Sequence, residues 1–326
     1  MGRIARSRAG TFPTCTLAML LFAASSLQAQ QSTPQRPRIT GIASVGYYVS
    51  DLPMSMVFWH EFLGFDESYR LKKPGTSEVS VAFFKINDQQ QIEIFNQAPP
   101  APPNRMNHLS FRVDSVDQMR DYLQSKGIEV QLGNAAETAT GNQAIEIVDP
   151  DGTHIDFIQN PSNGMEARAV GRFMPASRIS SQIYHVGFLV GNTRKATAFY
   201  EQILGFKEIW RGSSTPDELS WINMRVPDGA DYIEFMLYRT LPASFGTQNH
   251  VSLAVPNMQQ AIAALEARPA DKSYARPLEL RVGRNHKRQV NLYDPNGTRV
   301  ELMEPYTVDG RPAASSTAPP PPPSHD

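Results

Sequence analysis

The chain has 326 residues, 40% of them hydrophobic and 19% charged, too many for one average core and comfortable for two. Its formal net charge is −1, which argues against nucleic acid as a main partner, since phosphate backbones are met by a clear basic excess. At the N-terminus, Arg3, Arg6 and Arg8 precede an uncharged apolar run, Thr16 to Ala24, and Leu27-Gln28-Ala29 then offers a small residue for cleavage. That layout predicts a signal peptide over 1–29 and an exported protein, periplasmic or secreted. The apolar run is too short to leave a stable membrane span. Cleavage removes three arginines and no acid, carrying the net charge from −1 to −4. The only cysteine, Cys15, lies inside the leader, so the mature chain has no disulfide and no thiolate ligand or nucleophile.

The following segments come in pairs. Ser44-Val-Gly-Tyr-Tyr-Val49 reads as a strand, and Asp51 caps a helix running to about Leu63 with Gly64 as its stop. Strand-rich runs follow at 79–86 and 91–95. A second strand, 109–113, leads into a helix over 116–126 ended by Gly127, and Asp149-Pro-Asp-Gly152 reads as a tight turn before the last strand. His185-Val-Gly-Phe-Leu-Val190 then repeats the opening 141 residues later, and Ile203-Leu-Gly-Phe206 repeats Phe62-Leu-Gly-Phe65. Tyr232-Ile-Glu-Phe-Met236 answers Gln91-Ile-Glu-Ile-Phe95, and His250-Val-Ser-Leu-Ala-Val255 answers His108-Leu-Ser-Phe-Arg-Val113. Asp294-Pro-Asn-Gly297 answers the earlier turn. Matched segments in one order predict a duplicated architecture, with domains at about 39–160 and 180–306. Each domain reads as two βαβββ modules. Residues 313–326 are dominated by Pro, Ala and Ser, and are expected to form a disordered tail in which His325 is a bystander.

Tandem βαβββ modules with a Leu-Gly-Phe after the first helix, and an Asp-Pro-x-Gly turn before an acidic strand, resemble the vicinal-oxygen-chelate superfamily. That group holds glyoxalase I, bleomycin-resistance proteins and extradiol dioxygenases. The resemblance covers roughly residues 40–306. It implies an α+β fold in which four modules pair into two half-barrel domains, with metal ligands on the first and last strands of each module. Residue by residue, it implies His185, Glu234, His250 and Glu301 as ligands of one divalent ion (iron, nickel, zinc or manganese) in the second domain. Each has an apolar neighbour in sequence, on both sides for Glu234 and Glu301, so period-2 geometry points it to the face opposite its neighbours. The matching set in the first domain is Ser44, Glu93, His108 and Asp156. Ser44 is a poor ligand for such ions, so the first site is expected to be degenerate.

The resemblance leaves several chemistries open. His185, His250 and Glu301 match the two-His-one-carboxylate triad of the dioxygenases. Their helpers are not matched: Glu234 or Phe235 stands near the place of the catalytic His, Asn291 where a Tyr is usual, Tyr293 is displaced by two, and His286 lies nearer the final Glu. The four-residue set resembles bacterial glyoxalase I, in which a Glu at a ligand position carries the proton, a catalytic role for Glu234 or Glu301 here. The expected function is an exported, metal-dependent isomerase, lyase or dioxygenase acting on a small oxygen-rich substrate. Glutathione adducts are disfavoured by export. The alternative is a non-catalytic ligand-sequestering protein of the bleomycin-resistance type. Paired modules complete a barrel within one chain or by exchange, which leaves a homodimer open. The basic run Arg281, Arg284, His286, Lys287 and Arg288 is expected to be mainly a solvated loop. His60 and His154 are read as surface or core residues. Tyr47, Tyr48, Trp59, Phe83 and Phe84 are read as core, and Trp210 and Trp221 as candidate lining of the second barrel.

Overall fold

The computed structural model describes residues 1–2, 10, 34–101 and 104–323; the expected apolar leader, its cleavage point and His325 lie outside them. Residues from Pro34 onward form one compact unit. Among the described residues no helix is long and apolar enough to cross a membrane.

The first sheet contains β1 (Ile39–Val49), β2 (Glu67–Lys72), β3 (Val79–Asn87), β4 (Gln90–Asn96), β5 (Met106–Val113), β6 (Gln131–Leu132), β7 (Gln143–Val148) and β8 (His154–Gln159). The second contains β9 (Ile183–Val190), β10 (Lys207–Gly212), β11 (Trp221–Arg225), β12 (Tyr232–Leu237), β13 (His250–Ala254), β14 (Arg281–Val282), β15 (Lys287–Tyr293) and β16 (Arg299–Thr307). Their spatial orders are the same, β2-β3-β4-β1-β5-β8-β7-β6 and β10-β11-β12-β9-β13-β16-β15-β14. In each, the outer strands belong to two βαβββ modules, and the modules meet at a central antiparallel pair, β1 with β5 and β9 with β13. The four-module α+β architecture expected from the repeat is what the chain adopts.

The first helix of each domain begins as expected and ends differently. Asp51 accepts from the Met54 amide at 3.1 Å, and Asn192 from the Lys195 amide at 3.0 Å, so both starts are capped. Over Val57–Phe62 and Ala198–Ile203 the helix then widens to π geometry, with Leu63 N–H donating to Phe58 and Leu204 N–H to Phe199. Gly64 and Gly205 follow at φ 79° and 80°, a region in which a side chain would be strained. The widened turns turn Trp59 and Tyr200 fully into the interior.

Strand alternation divides each sheet as predicted. Ile92, Ile94, Leu109, Phe111, Ile155 and Phe157 join one core with Val186, Ile233, Phe235, Val251, Val300 and Leu302 of the second domain. This core is continuous across the two domains: Phe111 packs edge-on to Phe206 at 5.3 Å, and Phe62 stacks on Tyr274 at 4.5 Å. The intervening polar residues Glu93, His108, Asp156, His185, His250 and Glu301 are buried on the other face.

The domains dock reciprocally through their Asp-Pro-x-Gly turns. Asn296 Oδ1 accepts from the Ser50 and Asp51 amides at 3.0 Å each, where the first domain's opening helix starts. In the mirror contact, Asp149 Oδ2 accepts from Tyr200 Oη at 3.1 Å. Burial pushes the Asp149 carboxyl up from 3.8 to about 6. An acid raised on folding binds more protons folded than unfolded between those values, so stability falls as pH rises through them, by about 3 kcal/mol for this shift. Asp149→Asn keeps an oxygen for the Asp151 and Thr153 amides, which Asp149 Oδ1 now accepts at 2.9 and 2.8 Å. The variant is therefore expected to melt close to the parent at pH 4 and several degrees above it at pH 7.5. Melting curves that differ equally at both pH values would refute this account.

The tail departs from the expected disorder. Over the described residues 313–323 it has no regular structure, as its composition predicts, but it is tied down. Ser316 N–H donates to the Arg211 carbonyl and Pro319 accepts from the Leu219 amide, both at 2.9 Å, and Ala318 is buried. A proline-rich strand lacks donors, yet its carbonyls still pair with a neighbouring edge.

Candidate metal centre

The second half-barrel brings three of its four expected residues to one point. His185 on β9 and His250 on β13 face each other with Nε2 atoms 3.2 Å apart, and Glu301 Oε2 on β16 lies 3.4 Å from His185 Nε2. One ligand atom from each of the three lies within 4.8 Å of the others. Glu234 on β12 is beside them, its Oε2 3.7 Å from His250 Nε2, but outside this three-atom group. The cause is local: β9 pairs in parallel with β12 and antiparallel with β13, and β13 in parallel with β16. One inward residue from each strand is thereby set level with the next.

Electrostatics suit a cation. Burial first, and the charge of Arg299 second, hold both imidazoles well below their ordinary range, so both are neutral. Burial raises Glu301, and burial with the charge of Glu301 pushes Glu234 up to about 8. Glu301 Oε2 is buried with no hydrogen-bond partner. Two neutral imidazoles and an unpartnered carboxylate oxygen form a donor set that fits a divalent transition ion, which would remove the penalty on the carboxylates. Tyr232 stacks on the His185 ring at 4.7 Å, fixing its plane. His250 Nδ1 lies 3.1 Å from the Gln248 carbonyl; a proton there leaves Nε2 as a lone pair facing the site.

Beside this point opens a cavity of about 530 Å³ that reaches Glu234, Glu301 and Arg299 and is walled by Trp210, Trp221 and Asn291 among others. The two tryptophans line it as expected. The basic run does not act as a unit. Arg281 pairs with Glu279, Arg288 with Glu304, and Lys287 donates to Tyr184 Oη, leaving Arg284 on the cavity wall. His60 and His154 are surface residues paired with Asp66 and Glu146.

The first half-barrel is filled. Where Asn223 sits across from Glu234, Phe83 sits across from Glu93, and Phe83, Val81 and Ala136 form a small apolar cluster with Tyr69 packed on it. Of the expected set, His108 Nε2 is 3.8 Å from Glu93 Oε2, and Asp156 is buried without a partner. Ser44 donates instead to Glu137, at 3.3 Å.

Two residues at these centres were missed. Arg299 precedes Glu301 by two, so strand alternation alone puts it on the same face. Glu137 comes from the short helix Ala135–Ala139, capped by Asn134. The Asn-x-x-Glu spacing is a helix-start signal, but it carries no information on which barrel the helix enters.

The profile of the Glyoxalase/Bleomycin resistance protein/Dioxygenase superfamily matches the chain twice, over residues 41–157 and 182–302. The chain belongs to this superfamily. Solved structures with the same fold include a Mn(II)-bound glyoxalase from Novosphingobium aromaticivorans (18% identity, 87% of this chain and 88% of that one, TM-score 0.63). The 2,3-dioxygenase LapB from Pseudomonas sp. KL28 aligns at 15% identity over 85% of this chain and 97% of that one, with a TM-score of 0.61. Homoprotocatechuate 2,3-dioxygenase from Brevibacterium fuscum, complexed with 3,4-dihydroxyphenylacetate, aligns at 16% identity over 90% and 88%, with a TM-score of 0.61. No curated protein sequence matches the chain. At these identities the likeness to solved structures establishes the vicinal-oxygen-chelate fold.

Proposed function

We propose that the chain is a metal-dependent enzyme whose second domain isomerises or cleaves a small anionic substrate bearing two neighbouring oxygens. The observation that carries this reading is the convergence of His185, His250 and Glu301 beside an open cavity that Glu234 and Arg299 also reach. A divalent ion held by the three ligands would act as a Lewis acid on the substrate oxygens.

The chain's own residues supply the rest. Glu234 is an acidic group on the cavity wall, placed to take a proton from substrate carbon or oxygen and return it. Among the described residues the only imidazoles at this centre are the two ligands, so an acid–base cycle falls to Glu234, and this favours isomerase or lyase chemistry over ring cleavage. Arg299 forms no ion pair among the described residues, and its Nε lacks a partner. Its guanidinium abuts His250 Nδ1. Two donors cannot share that contact while Nδ1–H faces Gln248, so the ligating state turns Arg299 toward the cavity, where it seats an anionic group. Trp210 and Trp221 give the cavity an apolar wall.

The test is an assay of protein loaded with manganese, nickel, zinc or iron. The probes are carboxylated α-hydroxycarbonyl compounds, their neutral amides, and a dihydroxybenzoate with dioxygen. Turnover of a hydroxycarbonyl acid is expected, with Arg299→Ala raising its KM roughly 30-fold or more, the cost of leaving a buried charge contact unmade, and sparing the amide. Ring cleavage of the dihydroxybenzoate would establish the dioxygenase reading instead. Tight ligand binding without turnover under any metal would replace both with sequestration.

A further inference from the structure

The first domain was expected to be a degenerate copy, yet it contains more buried ligand chemistry than its partner. Glu93, His108 and Glu137 each offer one atom within 4.8 Å of the others, and all three are buried. Both Glu93 oxygens and His108 Nε2 are buried with no hydrogen-bond partner, as are both oxygens of the neighbouring Asp156. Such groups are costly to leave unmet. Glu93, Glu137, Asp156 and Glu166 crowd this interior, and the positive groups that act on them, His108, His154 and Arg112, are fewer than the carboxylates.

Supporting contacts orient these atoms as ligands. Asn107 Oδ1, an acceptor, lies 2.6 Å from His108 Nδ1; it places the proton on Nδ1 and leaves the Nε2 lone pair facing Glu93. Asn134 caps the Ala135–Ala139 helix through Oδ1 and donates from Nδ2 to Asn107 Oδ1 at 3.2 Å, the same oxygen that faces His108 Nδ1. The helix and the imidazole are thereby locked to one another. Glu137 is held from both sides, by Asn142 Nδ2 at 2.6 Å on Oε2 and by Ser44 and Ser110 at 3.3 and 3.4 Å on Oε1. Ser44, at the position where the second domain has an imidazole, thus supports a carboxylate that enters from a helix.

We propose that the first domain holds its own divalent cation, bound by Glu93, His108 and the helix-borne Glu137, as an enclosed structural ion. It is structural because the barrel around it is filled by Phe83, Tyr69 and Ala136. The cavity beside Glu166 offers about 10 Å³, too little for any substrate. The donor set of one nitrogen and carboxylate oxygens suits zinc or manganese. This site shares no residue with the second-domain centre, so the two are counted separately.

The experiment loads the parent, His250→Ala, Glu137→Gln and His108→Gln with zinc or manganese, removes free ion by desalting, and measures metal per chain by mass spectrometry. Two ions are expected in the parent and one in each single variant. His250→Ala should melt several degrees lower after chelator treatment, and His250→Ala/Glu137→Gln should not respond. Retention of the second-domain ion shows that Glu137→Gln and His108→Gln are folded; if either loses both ions, the His250→Ala count alone decides. One ion in the parent and none in His250→Ala would overturn the proposal while leaving the proposed function standing. A single ion in the parent, kept in His250→Ala and lost altogether in His108→Gln, would support the proposal and overturn the catalytic centre. No ion in the parent would overturn both.

Discussion

His250→Ala is expected to lower kcat/KM by roughly 10³-fold or more, well beyond the 10–100-fold that follows loss of a residue merely supporting a ligand. His250 Nε2 is 3.2 Å from His185 Nε2 and 3.7 Å from Glu234 Oε2, so its removal takes one of two imidazoles from the centre. Alanine also leaves a hole against Gly187, whose missing side chain is what lets the His250 ring lie so close: a Cβ there would come within 2.1 Å of His250 Cε1. The same close approach recurs at Gly46 beside His108, at 2.6 Å. Gly187→Ala should therefore displace the ring and reproduce part of the loss without deleting the ligand. The measurement is steady-state turnover with metal in excess. Recovery of His250→Ala to near parental rates at high metal would mean that the imidazole does not hold the ion.

Glu234→Gln should lower kcat by about 10²–10⁴-fold and leave KM within a few fold, the range that positioned proton carriers contribute. Gln matches the size of Glu and can still accept a hydrogen bond, but it cannot carry a proton through a cycle. Glu234 lies outside the three-atom ligand group, so the metal content of the variant should stay unchanged, which separates a proton-transfer role from ligation. A kcat within threefold of the parent would remove Glu234 from the chemistry and leave ring cleavage as the better reading. A joint loss of metal and turnover would make it a fourth ligand.

Much of this was legible in the sequence because duplication and strand alternation are independent constraints that agree. The 141-residue repeat aligns His185 with Ser44 and Glu234 with Glu93, and period 2 turns each toward the barrel interior regardless of how the strands pair. Arg299 was equally legible, two residues before Glu301, but the repeat does not mark it, because the residue two before Asp156 in the first domain is the surface residue His154. Glu137 was not legible. A helix-start pattern fixes its local conformation, whereas its place in the first barrel depends on how residues 133–142 cross the sheet's open face. The filling of that barrel by Phe83 is of the same kind: an aromatic residue in a strand looks alike whether it joins the main core or replaces a substrate. The tail shows the limit of composition, which reports the absence of helix and strand but not attachment.

That attachment has a practical meaning for handling the protein. Ala314 and Ser316 border a groove with Trp210, Ser213, Ser214 and Arg284, and Trp210, Ser214 and Arg284 also wall the main cavity. An affinity tag or fluorescent fusion at the C-terminus would extend from a tail that passes the groove beside the main cavity, and clipping the chain before Ala314 would remove one wall of that groove. Kinetic comparisons made with C-terminally tagged protein would then report the tag as well as the barrel.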